Sequence, residues 1–136
     1  MIRHSLPLTI ATILATMTAL APALRAEVSP AFTDIKLQAG QSLFEAECRR
    51  CHATDPSDPS YGPLLDGVVG RRAGSLEGYD YSEALKGAGF VWTAGALRAW
   101  MEDNDALVPG TKMRHVGITD PTVQDFILTY LQSISD

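Results

Sequence analysis

The sequence predicts a small all-α domain whose helices are joined by long irregular connections. Three observations carry that expectation. Apolar residues recur at helical spacing in several stretches, no stretch shows sustained period-two alternation, and the intervening segments are rich in Pro, Gly, Asp and Ser. No internal repeat, low-complexity tract or second block of composition divides the 136 residues, which suit one domain.

The first periodic stretch runs over residues 31–47 and places Leu37, Gly40, Leu43 and Phe44 at helical spacing. Gly40 inside a helix costs about 1 kcal/mol relative to alanine, so close approach of another helix is expected there. Residues 53–78 read as a long loop region, with Asp55-Pro56 and Asp58-Pro59 as turn signals. In a compact domain such loops tend to be functional. Tyr81 to Gly87 is a short helix ended by Gly87 or Gly89, and Thr93 can cap a further helix through about Asn104, with Leu97, Trp100 and Met101 on its apolar face. Pro109 and Gly110 keep the segment 108–113 from being helical. Asp120 as cap and Pro121 as first residue open a last helix to about Ser133. Its Val123, Phe126, Ile127, Tyr130, Leu131 and Ile134 form one apolar stripe.

The only two cysteines lie in Cys48-Arg49-Arg50-Cys51-His52. Two thiols at this spacing with a histidine directly after the second are the attachment signature of a c-type haem. The thiols can add to two vinyl groups on one porphyrin edge, and the same turn delivers the imidazole to the iron. Other readings fit less well. A thioredoxin-like dithiol normally opens a helix after a strand, whereas here the preceding segment is helical. A zinc site needs about four ligands, and beyond Cys48, Cys51, His52 and His115 the chain offers little. A disulfide would close a very short loop and leave His52 without a role.

Electron-transfer haems usually fill both axial positions. With His52 in one, the candidates for the other are Met101, Met113, His115 and, as an outside choice, a lysine. Met101 sits beside Leu97 and Trp100 in mid-helix, where a core role is favoured. Met113 lies in a non-helical Pro-Gly loop able to present a thioether, and His/Met ligation is the pattern of soluble electron carriers. His115 is the runner-up.

Residues 1–26 look like a secretory signal peptide: Arg3 supplies a positive start, Leu8 to Leu20 is an apolar stretch, and Ala21-Pro22-Ala23 and Ala26 are cleavage candidates. The stretch is short and weakly apolar for a membrane anchor, so no stable insertion is expected after its removal. Residues 27–136 would form the mature domain, in the periplasm. Removing Arg3 and Arg25 but no acidic residue takes the formal charge from −5 to −7. A chain this acidic is not a general binder of nucleic acid or anionic membranes. A core of this size is marginal by itself, so the protein without its cofactor is expected to fold poorly.

With these residues in hand the chain resembles the class I cytochromes c, specifically the bacterial members closest to mitochondrial cytochrome c. The resemblance spans about Lys36 to Gln132. It rests on Gly40-x3-Phe44-x3-Cys48-x2-Cys51-His52, on Tyr61-Gly62-Pro63-x-Leu65-x-Gly67-x2-Gly70-Arg71, on Tyr79-Asp80-Tyr81-Ser82 and Trp92-Thr93, and on Pro109-Gly110-Thr111-Lys112-Met113. It implies the small cytochrome c fold, helices wrapped around one covalent haem with the first and last helices crossing near Gly40, Phe44, Ile127 and Tyr130. It also implies thioethers at Cys48 and Cys51, His52 and Met113 as iron ligands, and the Pro63 carbonyl as hydrogen-bond acceptor for His52. Arg71, Tyr81 and Trp92 would surround the propionates, while Tyr79 is as consistent with plain packing. Two departures stand out. Trp100 replaces the tyrosine the family often has beside the methionine, and His115 stands where an aromatic residue is common near the haem edge. The docking lysines of the mitochondrial protein are largely missing. Glu102, Asp103 and Asp105 precede the methionine loop, with Arg49, Arg50, Lys112 and Arg114 retaining some positive charge.

The expected function is therefore one-electron shuttling by a monomer, without enzymatic activity, between periplasmic or membrane partners. These would be a quinol-oxidising complex or dehydrogenase on one side and an oxidase, peroxidase or photosynthetic centre on the other, docking at the haem edge. The alternative is a dedicated subunit held by one periplasmic dehydrogenase.

Overall fold

The computed structural model describes residues 29–136. The expected signal peptide and its cleavage site lie outside the described residues. Among the described residues five helices form: α1 (Pro30–Glu47), α2 (Glu83–Lys86), α3 (Ala94–Glu102), α4 (Asn104–Leu107) and α5 (Pro121–Ser133). Among the described residues the only extended pairing is an isolated antiparallel bridge between Arg72 and Val91. The all-α expectation stands.

Local chemistry sets most helix ends. Pro30 opens α1 with its fixed φ and missing N–H at a position that needs no donor. Thr93 Oγ1 accepts from the Ala96 amide at 3.1 Å to cap α3, and Asp120 Oδ1 accepts from the Thr122 and Val123 amides at 2.7 and 3.2 Å to cap α5. The short helix after Tyr81 is confined to Glu83–Lys86, because the Ser82 hydroxyl accepts from the Leu85 amide and sets a later start.

One boundary differs in kind. The helix opened by Thr93 was expected to reach about Asn104, but Asp103 adopts an extended backbone (φ −155°, ψ 92°). Its carboxylate then caps a separate turn, α4, through the Ala106 amide at 2.9 Å. The break turns Asn104 into the core, where it is buried.

α1 and α5 cross as expected. A Cβ on Gly40 would overlap the Phe126 carbonyl and crowd Tyr130, so only glycine allows the two backbones to approach this closely. Phe44 meets Tyr130 with ring centroids 5.0 Å apart, and Phe44 and Ile127 are the largest fully buried side chains. At the edge of the crossing Asp125 of α5 pairs with Lys36 of α1 and with Arg98 of α3, the latter at 2.8 Å. The buried face of α5 is wider than the predicted stripe. Leu128 and Gln124 are buried as well, and the Gln124 amide donates to the Ile118 carbonyl at 2.6 Å.

The long connection between α1 and α2 is tied down through its backbone. The Gly62 amide donates to Cys51 O at 2.6 Å, Gly67 to Ile134 O at 3.0 Å, and Gly70 to Trp92 O at 2.9 Å. These bonds fold the loop over one side of a central cavity, which the end of α1, α3 and the segment 111–118 enclose elsewhere.

Candidate cofactor site

The cavity measures about 290 Å³, close to the lower end of the range for small-molecule and cofactor sites. All nine residues singled out from sequence line it: Cys48, Cys51, His52, Pro63, Arg71, Tyr81, Trp92, Trp100 and Met113.

Cys48, Cys51 and His52 leave the end of α1 in one turn, in which the Cys51 and His52 amides both donate to Cys48 O at 3.0 Å. The two cysteines are not bridged to each other. Burial, helped by the charges of Glu47 and Cys51, pushes the Cys48 thiol up to about 12.

His52 is buried, and its Nδ1 lies 2.7 Å from the Pro63 carbonyl. A carbonyl only accepts, so Nδ1 carries the hydrogen and Nε2 keeps its lone pair. Burial holds the His52 pKa below the ordinary imidazole value, the Pro63 bond opposes this, and the charge of His115 adds to the lowering. Gly62 is part of the same seat. A Cβ there would stand 2.5 Å from His52 Cε1 and 2.6 Å from Nδ1, so a side chain would fill the space the imidazole occupies.

The methionine loop is held from several sides. The Trp100 indole N–H donates to Met113 Sδ at 2.9 Å. Asn104 Nδ2 donates to Met113 O at 3.0 Å, the Tyr61 hydroxyl to Lys112 O at 2.7 Å, and Arg114 to Thr111 O at 2.8 Å. Tyr79, whose role the sequence left open, donates its hydroxyl to Tyr61 O at 2.7 Å and so supports that brace. Asn104 was not singled out from sequence, and nothing local distinguishes it from its acidic neighbours. Its partner lies nine residues on.

Trp92 packs edge-on against Trp100 and Phe90, with centroids 5.1 and 4.8 Å away. Tyr81 is buried against Tyr79 at 4.7 Å, and burial pushes its phenol above the ordinary range. The Arg71 guanidinium is anchored to the carbonyls of Asp66 and Leu64 at 3.0 and 3.1 Å. His115 Nδ1 lies 2.8 Å from Val116 O, and its Nε2 is buried without a hydrogen-bond partner among the described residues. At the rim Lys112 pairs with Asp80 at 2.7 Å, so the basic residues near the opening are partly neutralised. Among the described residues no cluster of three or more His, Cys, Asp or Glu side chains could bind a metal by itself, and no helix is long and apolar enough to cross a membrane.

These features fit a porphyrin. The walls are largely apolar, the cysteines sit on one of them, and an imidazole with a fixed tautomer lines the same space as a thioether. No family model matches the chain. It is 41% identical over 95 residues to cytochrome c2 of Rhodopila globiformis, covering 70% of this chain and 90% of the relative. It is 34% identical over 113 residues to cytochrome c2 of Blastochloris viridis, covering 82% and 87%. The solved structure of cytochrome cH from Methylobacterium extorquens matches with a TM-score of 0.65 at 41% identity, over 71% of this chain and 97% of that one. The chain belongs to the class I c-type cytochromes, electron carriers with one covalent haem c, attached here through Cys48 and Cys51.

Proposed function

We propose that this protein is a one-electron carrier of the periplasm whose haem is closed on both faces, by His52 and by Met113, and which serves as a freely diffusing shuttle after loss of residues 1–26. The observation that carries the reading is the pair of holds on the two ligand candidates. Pro63 fixes the tautomer of His52 at 2.7 Å, and Trp100 takes the sulfur of Met113 at 2.9 Å, both at the wall of the cavity that the cysteines line.

The bound haem supplies the Fe(II)/Fe(III) couple. The chain's own residues provide the rest. The Pro63 carbonyl accepts from Nδ1–H, orients the ring and raises the basicity of Nε2. A thioether sulfur has two lone pairs; the indole N–H engages one, and the other would be free to hold a haem iron. Leu65, Val68, Leu97 and Ile127 on the cavity wall exclude water, which keeps the local dielectric low and favours the less charged state of the site. The loop around Met113 is braced at three successive carbonyls, those of Thr111, Lys112 and Met113, which would keep the thioether in place toward a bound haem in either oxidation state. Reorganisation is then small.

Partners dock at the rim, where Tyr61 and Val116 are exposed, through the small interface typical of transient electron transfer. Donors are a quinol-oxidising complex or a dehydrogenase; acceptors are an oxidase, a peroxidase or a photosynthetic centre. The test is carbon monoxide binding by the reduced, haem-loaded protein. A closed site binds it slowly and weakly; rapid, tight binding would show an open iron and overturn the carrier reading in favour of catalysis or gas sensing.

A further inference from the structure

We propose that His115 is a reserve ligand for the haem iron, able to replace Met113 and convert the site to bis-histidine ligation. The inference rests on the His52/Met113 reading of the site.

The argument begins with tautomers. The Val116 carbonyl only accepts, so His115 Nδ1, 2.8 Å from it, carries the ring hydrogen. The neutral imidazole has one such hydrogen, and Nε2 therefore holds a lone pair. That nitrogen is buried and has no hydrogen-bond partner among the described residues, a costly state for an acceptor unless something in the cavity meets it. His52 shows the same arrangement, with Nδ1–H given to Pro63 O and the ring lining the same cavity. Giving one ring N–H to a backbone carbonyl is how metal-ligating histidines are held.

Backbone freedom makes the exchange local. His115 follows Met113 by two residues in an irregular segment that continues to Asp120, and Val116 beside it is 91% exposed. For the ring to advance, the Asn104 bond to Met113 O has to open, while the Ile118 bond to Met101 O can hold the far end of the segment in place. The exchange breaks one iron–sulfur bond and forms one iron–nitrogen bond. The thioether leaves intact, the imidazole enters neutral, and no electron or proton is transferred.

The test uses the haem-loaded full chain as wild type, Met113→Ala and Met113→Ala/His115→Phe. Ferric Met113→Ala is expected to stay low-spin with a midpoint potential below wild type, since the thioether is what raises it. It should bind added imidazole at least about tenfold more weakly than the double variant, which should be high-spin. A high-spin Met113→Ala, or a double variant that is equally low-spin, would overturn the proposal. Should neither variant load haem, wild type and His115→Phe are compared through denaturant. A low-spin iron that outlasts the thioether band in wild type alone supports His115, and identical behaviour refutes it. Absence of a thioether band in native wild type would instead sink the His52/Met113 reading, so the two failures are distinct.

Discussion

Replacing Trp100 with phenylalanine removes the indole N–H that lies 2.9 Å from Met113 Sδ, while an aromatic ring remains against Trp92. The Asn104 bond to Met113 O is untouched, so the loop should keep its path and the sulfur alone loses a partner. A net hydrogen bond is worth roughly 0.5–1.5 kcal/mol. A thioether is a weak acceptor, which places this bond in the lower part of that range, about 0.5–1 kcal/mol. That corresponds to a rise of about 2- to 5-fold in the equilibrium constant for displacement of Met113 by added imidazole. The donor draws electron density from sulfur and so favours the ferrous iron. Its loss should lower the midpoint potential, by no more than about 40 mV for one electron. Overall stability should fall too, by roughly 1–2 kcal/mol, because a smaller ring leaves space behind it. Trp92→Phe separates these effects, since it shrinks a buried ring that makes no bond to the sulfur. Imidazole affinity in Trp100→Phe equal to that of wild type, or matched by Trp92→Phe, would refute the role given to the N–H.

Two further expectations follow from the packing. Gly62→Ala should yield little haem-loaded protein, or protein with lower stability by roughly 1–3 kcal/mol, because the new Cβ falls 2.5 Å from the His52 ring; thermal unfolding of the holoprotein measures this. Asp125→Asn should cost at most about 1 kcal/mol, as befits a half-exposed ion pair, and should flatten the acid limb of the stability profile. The Lys36 bond, then the Arg98 bond, holds the Asp125 carboxyl below the usual carboxylate range. Its contribution is therefore complete above about pH 4 and is lost as pH falls through the lowered value. A variant whose acid limb matches wild type in denaturant titrations would show that the pair adds nothing.

What the sequence disclosed followed how local the determining interactions are. Asp120 and Pro121 announce α5 because the cap closes on amides two and three residues away. The run from Cys48 to His52 is legible because attachment and imidazole share one turn. Gly40 signals a close approach because a helical glycine needs a reason, and the family resemblance points to the last helix as its partner. The break at Asp103 was not legible. Nothing in Glu102-Asp103-Asn104-Asp105 forbids helix, and what favours the break lies elsewhere: Met101 O accepts from Ile118 N at 2.8 Å, and Asn104 reaches Met113 O at 3.0 Å. Gln124 falls outside the apolar stripe for the same reason, its bond to Ile118 O being a tertiary one. At the site, Trp100 was recognised as a departure from the family, yet only the fold shows its N–H on the sulfur. The unpartnered nitrogen of His115 likewise depends on where the chain turns at Val116.

The central claim is that the iron is closed by His52 on one face and Met113 on the other. Its most direct measurement is the near-infrared sulfur-to-iron charge-transfer band of the oxidised, haem-loaded protein. The account predicts that the wild type shows the band and that Met113→Ala loses it while keeping both thioethers. A wild type without the band, or a Met113→Ala variant that retains it, would contradict the account.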